Sequence, residues 1–132
     1  MEETKLIKKI FDETKTIAVV GLSPKKYRAS YVVSEYLQQH GYKIIPVYPR
    51  EKKILGENVY ENLTDIKEEI DLVLIFRRSE EVLPVVEQAI KMKPKFIWMQ
   101  LGIINKEAEE LAKNNGIEVV SNRCMKIEHS SL

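Results

Sequence analysis

Arginine is scarce in this chain and unevenly placed. Its five copies are Arg28, Arg50, Arg77, Arg78 and Arg123, and each comes shortly after a short apolar run. A guanidinium presents a rigid fork of donors that matches phosphate or carboxylate oxygens in pairs. The chemistry on offer is therefore the gripping of a polyanion. The fullest version is V-V-G-L-S-P-K-K-Y-R-A-S, Val19 to Ser30. There, β-branched residues run into Gly21, a polar loop carries Lys25, Lys26 and Arg28, and an apolar helical pattern follows. That is where a nucleotide-binding α/β protein holds phosphate, against the first N–H groups of a helix.

The usual glycine fingerprint, G-x-G-x-x-G, is absent. Counted from Gly21, its second and third glycines fall on Ser23 and Lys26. NAD binders also place an acid at the end of the second strand to hold a ribose hydroxyl. Here that end reads P-V-Y-P-R-E-K-K, and its first charge is Arg50, with Lys52 and Lys53 following. A basic end favours an adenosine whose ribose carries a phosphate. NADP and coenzyme A both qualify, and the residues alone leave the two open.

A catalytic set does not assemble. Asp65, Asp71 and Glu128 form no evident acid–base pair, and Ser23 sits in no G-x-S-x-G elbow. His40 precedes Gly41 at a helix end, and His129 lies beside Glu128. No Cys/His spacing fits a metal site. Cys124 reads as an inert packed cysteine. The alternative, since it follows Arg123 and lies near Lys126, is a thiolate able to form a mixed disulfide with a ligand thiol. The expectation is a binding protein with no catalytic residue and no metal.

These residues must be positioned by a scaffold. The chain has 132 residues, which suits one domain over 1–132. Its net charge of +1 argues against non-specific nucleic-acid binding. No apolar run approaches the roughly 20 residues of a membrane span, and no signal peptide is evident. With one cysteine, a cytoplasmic location is expected. Lys, Glu and Ile dominate, a bias of heat-loving sources.

Apolar spacing predicts a first helix over 2–13 and a strand over 16–20. A second helix follows, capped by Ser30 and closed at Gly41. The second strand spans 43–47, with Pro46 marking an edge or a strand end. A short helix is expected over 61–69 and a buried strand over 71–76. A helix with its stripe from Val82 to Ile90 comes next, limited by Pro84. Then come a strand over 95–101, a helix capped by Asn105 and ending near Gly116, a strand over 117–120, and a polar tail. The alternation predicts an α/β, Rossmann-like, doubly wound parallel sheet of about five strands in a three-layer α/β/α sandwich. The expected strand order is 3-2-1-4-5, with 2-1-3-4-5 as the alternative. The segment 50–60 reads as a long loop that orders over a ligand, hinged at Gly56.

The sequence resembles the small coenzyme A-binding proteins of the succinyl-CoA synthetase α-subunit N-domain type, the single-domain YccU-like group. The resemblance rests on V-V-G-L-S-P-K-K-Y-R-A-S, G-Y-K-I-I-P-V-Y-P, I-L-G-E-N-V-Y, D-L-V-L-I-F-R-R, W-M-Q-L-G-I and N-R-C-M-K-I-E-H, in the family's order over about residues 15–130. It implies binding of coenzyme A or an acyl-CoA, without known chemistry. It implies phosphate contacts from the turn of Gly21, Leu22 and Ser23 and from Arg28; Lys26, in the same loop, is a candidate by its position. It places Val47, Tyr48, Pro49 and Arg50 by the adenine and phosphorylated ribose. It sets Phe76, Arg77 and Arg78 along the cofactor, with Gln100 and Gly102 across the mouth. The family often has Asn where this chain has Tyr48, an aromatic that can stack on adenine or narrow its pocket. Two other readings stand beside this one. One is an NADP-binding oxidoreductase or redox sensor. The other is an interaction domain for a ligase-like partner protein, or for a second copy through the first helix.

Overall fold

The computed structural model describes residues 2–132. Five parallel strands form one sheet: β1 (Thr16–Val20), β2 (Lys43–Val47), β5 (Leu72–Ile75), β6 (Phe96–Met99) and β7 (Glu118–Val120). A small antiparallel hairpin, β3 (Lys53–Ile54) and β4 (Glu57–Asn58), lies outside it. The helices are α1 (Glu2–Glu13), α2 (Ala29–Gln39), α3 (Val82–Met92), α4 (Lys106–Asn114) and α5 (Met125–Ser130).

Alternation along each buried strand divides the core in two. Ala18, Val20, Ile45, Val73, Ile75, Ile97 and Met99 pack with residues of α3 and α4 on one face. Ile17, Val19, Ile44, Leu72, Leu74, Phe96 and Trp98 pack with residues of α1, α2 and α5 on the other. This is the expected three-layer Rossmann-like sandwich. The first helix covers the sheet through Ile7, Ile10 and Phe11, with the Phe11 ring 5.7 Å from that of Trp98.

The strand order corrects one expectation. The sheet runs β2-β1-β5-β6-β7, so the run over 71–76 pairs with β1 and not with β2. In the counting of the five main strands this is 2-1-3-4-5, not 3-2-1-4-5. Pro46 explains the edge. Lys43 N–H and Val47 C=O bond toward the first strand, whereas the Pro46 carbonyl faces outward and accepts from Tyr60 N–H at 3.0 Å. The missing proline N–H therefore also faces outward, where a full sixth strand would lose a ladder bond. A single parallel bridge, Val47 to Tyr60, occupies that slot. Counted as a vestigial strand, it restores the Rossmann order 3-2-1-4-5-6.

Five local expectations also change. Segment 50–60 is not an open loop: Ile54 is buried and the hairpin turns at Leu55-Gly56, both at positive φ. Its ends are tied by Tyr48 N–H to the Tyr60 carbonyl, and its turn by Gln38 Nε2 to the Leu55 carbonyl. The helix expected over 61–69 shrinks to one 3₁₀ turn, Leu63–Asp65. α2 starts at Ala29 with Arg28 in the capping position, because the Ser30 hydroxyl is used elsewhere. The polar tail contains α5. Pro84 does not delay α3: it sits in the first turn, where a helical N–H has no intrahelical acceptor to lose. Asn105 caps α4 as expected, accepting from Ala108 N–H at 2.9 Å.

Candidate functional site

A cleft of about 420 Å³ opens at the carboxyl ends of β1, β2 and β5. In an open α/β sheet this end, next to the point where the chain changes direction, is where ligands bind. Its floor is Gly21 and Ser23 after β1, one wall is Arg28, Ala29 and Ser30 at the head of α2, and the others are Tyr48, Pro49, Phe76 and Arg77.

Gly21 has a steric role that the sequence does not display. Its φ is +90°, and a Cβ there would lie 2.2 Å from the Phe76 carbonyl oxygen. Its N–H donates to the Val47 carbonyl at 2.9 Å, and Phe76 N–H donates to Val20 at 2.9 Å. The glycine lets three strand ends converge, and the Arg77 side chain lies over it.

Next come the donors. Ser23 N–H donates to Ser30 Oγ at 3.0 Å, and Lys25 N–H donates to Ser23 Oγ at 3.1 Å. Arg28 N–H donates to the Lys25 carbonyl at 3.0 Å. These loop N–H groups are satisfied within the protein. Arg28, in the capping position, provides no side-chain cap. Tyr31 and Val32 N–H both reach the Arg28 carbonyl. Among the described residues, the N–H groups of Ala29 and Ser30 have no partner, and both residues line the cleft. Two helix-head donors share the cleft with Arg28 and Arg77, an arrangement able to hold an anion without further glycines.

The other predicted residues divide by location. Leu22 is fully buried in the core. Lys26 is exposed on the loop outside the cleft. Arg50 is exposed at φ 62°, a left-handed conformation rare outside glycine. Arg78 points to solvent and pairs with Glu81 at 3.2 Å. Arg123 is held by Glu3 at 2.8 Å and Glu128 at 3.3 Å. Gln100 is buried and its Oε1 accepts from Met125 N–H at 3.2 Å. Gly102 N–H donates to Asn122 Oδ1 at 2.8 Å. Neither Gln100 nor Gly102 lines the cleft. Cys124, half-buried, lies in a separate hollow with Leu101 and Ile127. Ala29 was absent from the sequence-based site; the signal for it was its place as first residue of a helix lacking a Ser, Thr, Asp or Asn cap.

A second hollow, of about 430 Å³, adjoins the first on the α3 face. Arg77 lines both. Its apolar walls include Val47, Leu63, Pro84 and Val85, and its polar lining is Asn62, Gln88 and the carboxylates Glu61, Glu80 and Glu81. At the outer rim Tyr27 is exposed, with the Arg28 guanidinium 5.8 Å from its ring centre. Hydrogen bonding from Arg28, followed by the charge of Lys25, holds the Tyr27 hydroxyl below its ordinary value.

A family model described as a CoA binding domain matches residues 15–130. The chain belongs to this CoA-binding domain family. It is 40% identical to the uncharacterized protein YneT of Bacillus subtilis over 94% of this chain and 92% of that one. It superposes on the solved structure of a hypothetical protein from Pyrococcus horikoshii with a TM-score of 0.94, at 39% identity, covering 98% of this chain and 91% of that one. It is also 24% identical to an ADP-forming acetate–CoA ligase of Methanocaldococcus jannaschii over 89% of its length. Only 18% of that ligase is matched. Among the described residues no helix is long and apolar enough to cross a membrane.

Proposed function

We propose that this CoA-binding domain binds coenzyme A or an acyl-CoA in the paired hollows and performs no chemical step alone. The observation that carries the reading is the anion site at the head of α2. Its free donors, Ala29 and Ser30 N–H, share the cleft with Arg28 and Arg77. The diphosphate occupies this cleft. The adenine takes the hollow beyond Arg77, against its apolar wall of Val47, Leu63 and Val85, with Asn62 and Gln88 as hydrogen-bonding groups. The ribose phosphate then faces the basic end of β2 at Arg50, Lys52 and Lys53, while Tyr48 and Phe76 flank the passage. Support for a binding role comes from the diphosphate cleft, which no His, Cys, Asp or Glu lines and where Ser23 Oγ accepts from a backbone donor; the carboxylates Glu61, Glu80 and Glu81 lie in the second hollow. General acid–base or nucleophilic chemistry needs such groups within hydrogen-bond reach of the substrate. In this reading a chemical step requires a partner protein.

Native mass spectrometry and calorimetry with coenzyme A, acetyl-CoA, dephospho-CoA and NADP test the proposal. A one-to-one complex with coenzyme A, weakened for dephospho-CoA and absent for NADP, is expected. Binding of NADP alone overturns the assignment in favour of a redox reading.

A further inference from the structure

Both histidines of this chain meet in one cluster on the face away from α3. His40 closes α2 and His129 lies in α5, and their ring centres are 5.2 Å apart. Tyr36 joins them: its hydroxyl is 2.8 Å from His129 Nδ1 and its ring stacks on His40 at 4.0 Å. His40 Nδ1 donates to the Tyr36 carbonyl at 2.7 Å. Phe11 and Tyr42 close edge-on around His129 at 5.0 and 5.8 Å.

Charges of both signs lie around this cluster, and its carboxylates are paired with cations outside it. From α2 come Tyr36 and His40, and from the turn before β2 comes Tyr42. From α1 comes Asp12, whose carboxylate is taken by Lys8 at 3.1 Å. On α5 itself, Lys126 Nζ sits 5.6 Å from the Tyr36 ring centre, and Glu128 is held by Arg123. Among the described residues no carboxylate pairs with either imidazole. A proton arriving here meets Lys126 and aromatic rings, while the nearby carboxylates, Asp12 and Glu128, pair with Lys8 and Arg123.

The same helix is tied to the sheet by two other bonds. Trp98 Nε1 donates to the Arg123 carbonyl at 2.8 Å, and Met125 N–H donates to Gln100 Oε1 at 3.2 Å. Gln100 follows directly from β6, at the end of the sheet where the ligand cleft opens. We propose that α5 is an acid-released strap: protonation of His129, which sits against His40 and Tyr36, lifts residues 125–130 from α2 and frees Gln100 at the carboxyl end of β6. The strap itself does not depend on what the cleft binds.

Burial, followed by the field of His40, holds the His129 imidazole below its ordinary value of 6.5. The released helix therefore takes up the proton more readily than the docked one. Docking is at full strength above pH 6.5 and weakens as pH falls through the lowered docked value. Each unit of displacement corresponds to about a tenfold change in the docking equilibrium.

The only tryptophan, Trp98, is fully buried and bonded to the chain entering α5, so its emission reports the strap. The experiment follows Trp98 emission, far-UV circular dichroism and amide exchange of residues 125–130, corrected for intrinsic pH dependence, from pH 8 to 4.5. The expected result for the wild type is a red shift and loss of protection at 125–130 below pH 6.5, while the circular dichroism of the sheet and long helices persists. In His129→Gln and His40→Gln the step flattens. No step in the wild type overturns the strap. So does a step unchanged in both variants, or one coinciding with loss of all secondary structure.

Discussion

Replacing Gly21 by alanine separates two costs that this glycine avoids. One is conformational: at φ +90° an L-residue is strained by about 1–2 kcal/mol. The other is steric: the new methyl would sit 2.2 Å from the Phe76 carbonyl oxygen, more than 1 Å inside ordinary contact. Relieving that overlap means moving the end of β5 or β1, at roughly 1–3 kcal/mol for an overpacked site. The sum is about 2–5 kcal/mol, a large share of a typical domain's 5–15 kcal/mol. Gly116 supplies the control, since its φ is +78° and nothing lies within 4 Å of a Cβ there. Gly116→Ala should cost the conformational part alone. Urea unfolding of both variants, with unchanged slopes, measures the difference as the steric cost of the approach. Equal losses in the two variants would refute the argument that convergence of the strand ends requires glycine at position 21.

Three further outcomes are expected. Arg28→Ala and Arg77→Ala should each weaken coenzyme A binding by about 1.5–3 kcal/mol, while Arg78→Ala, whose partner is Glu81, should change calorimetric affinity by less than about 1 kcal/mol. Arg50→Gly should stabilise the fold by about 1 kcal/mol by relieving its left-handed φ, yet narrow the preference for coenzyme A over dephospho-CoA; a variant that keeps the full preference removes Arg50 from the ribose phosphate. Asn105→Ala should cost about 1 kcal/mol in thermal or urea unfolding through loss of the bond to Ala108 N–H, with ligand affinity unchanged.

The five strands of the main sheet were legible because each is a short, mainly apolar run that is mostly buried. Asn105 was legible as a cap because its side chain acts locally. Strand order was harder, since it depends on which edges pair. Pro46 held the decisive hint, but the direction its missing N–H faces is a matter of register. The hairpin over 53–58 has no alternating pattern and turns on Leu55-Gly56 where Asn-Gly is the usual signal. α5 has six residues and no clear apolar stripe, so it read as tail. For the site, position after a strand gathered the arginines correctly to one end. It did not say which way each points. Glu81 turns Arg78 outward, and Glu3 with Glu128 claims Arg123. The part played by Gly21 was hidden because it depends on the Phe76 carbonyl, far away in sequence.

The internal bonds of the loop after β1 bear on kinetics. Gly21, Ser23, Lys25 and Arg28 already spend their N–H groups on Val47, Ser30, Ser23 and Lys25, so the loop stands in its final shape before any ligand arrives. An encounter with a polyanion then needs no folding of the receptor, and Lys25, Lys26 and Arg28 on the rim speed the approach. Association should be fast and sensitive to salt, and differences among ligands should appear as residence times, set by how well each fills the hollow beyond Arg77.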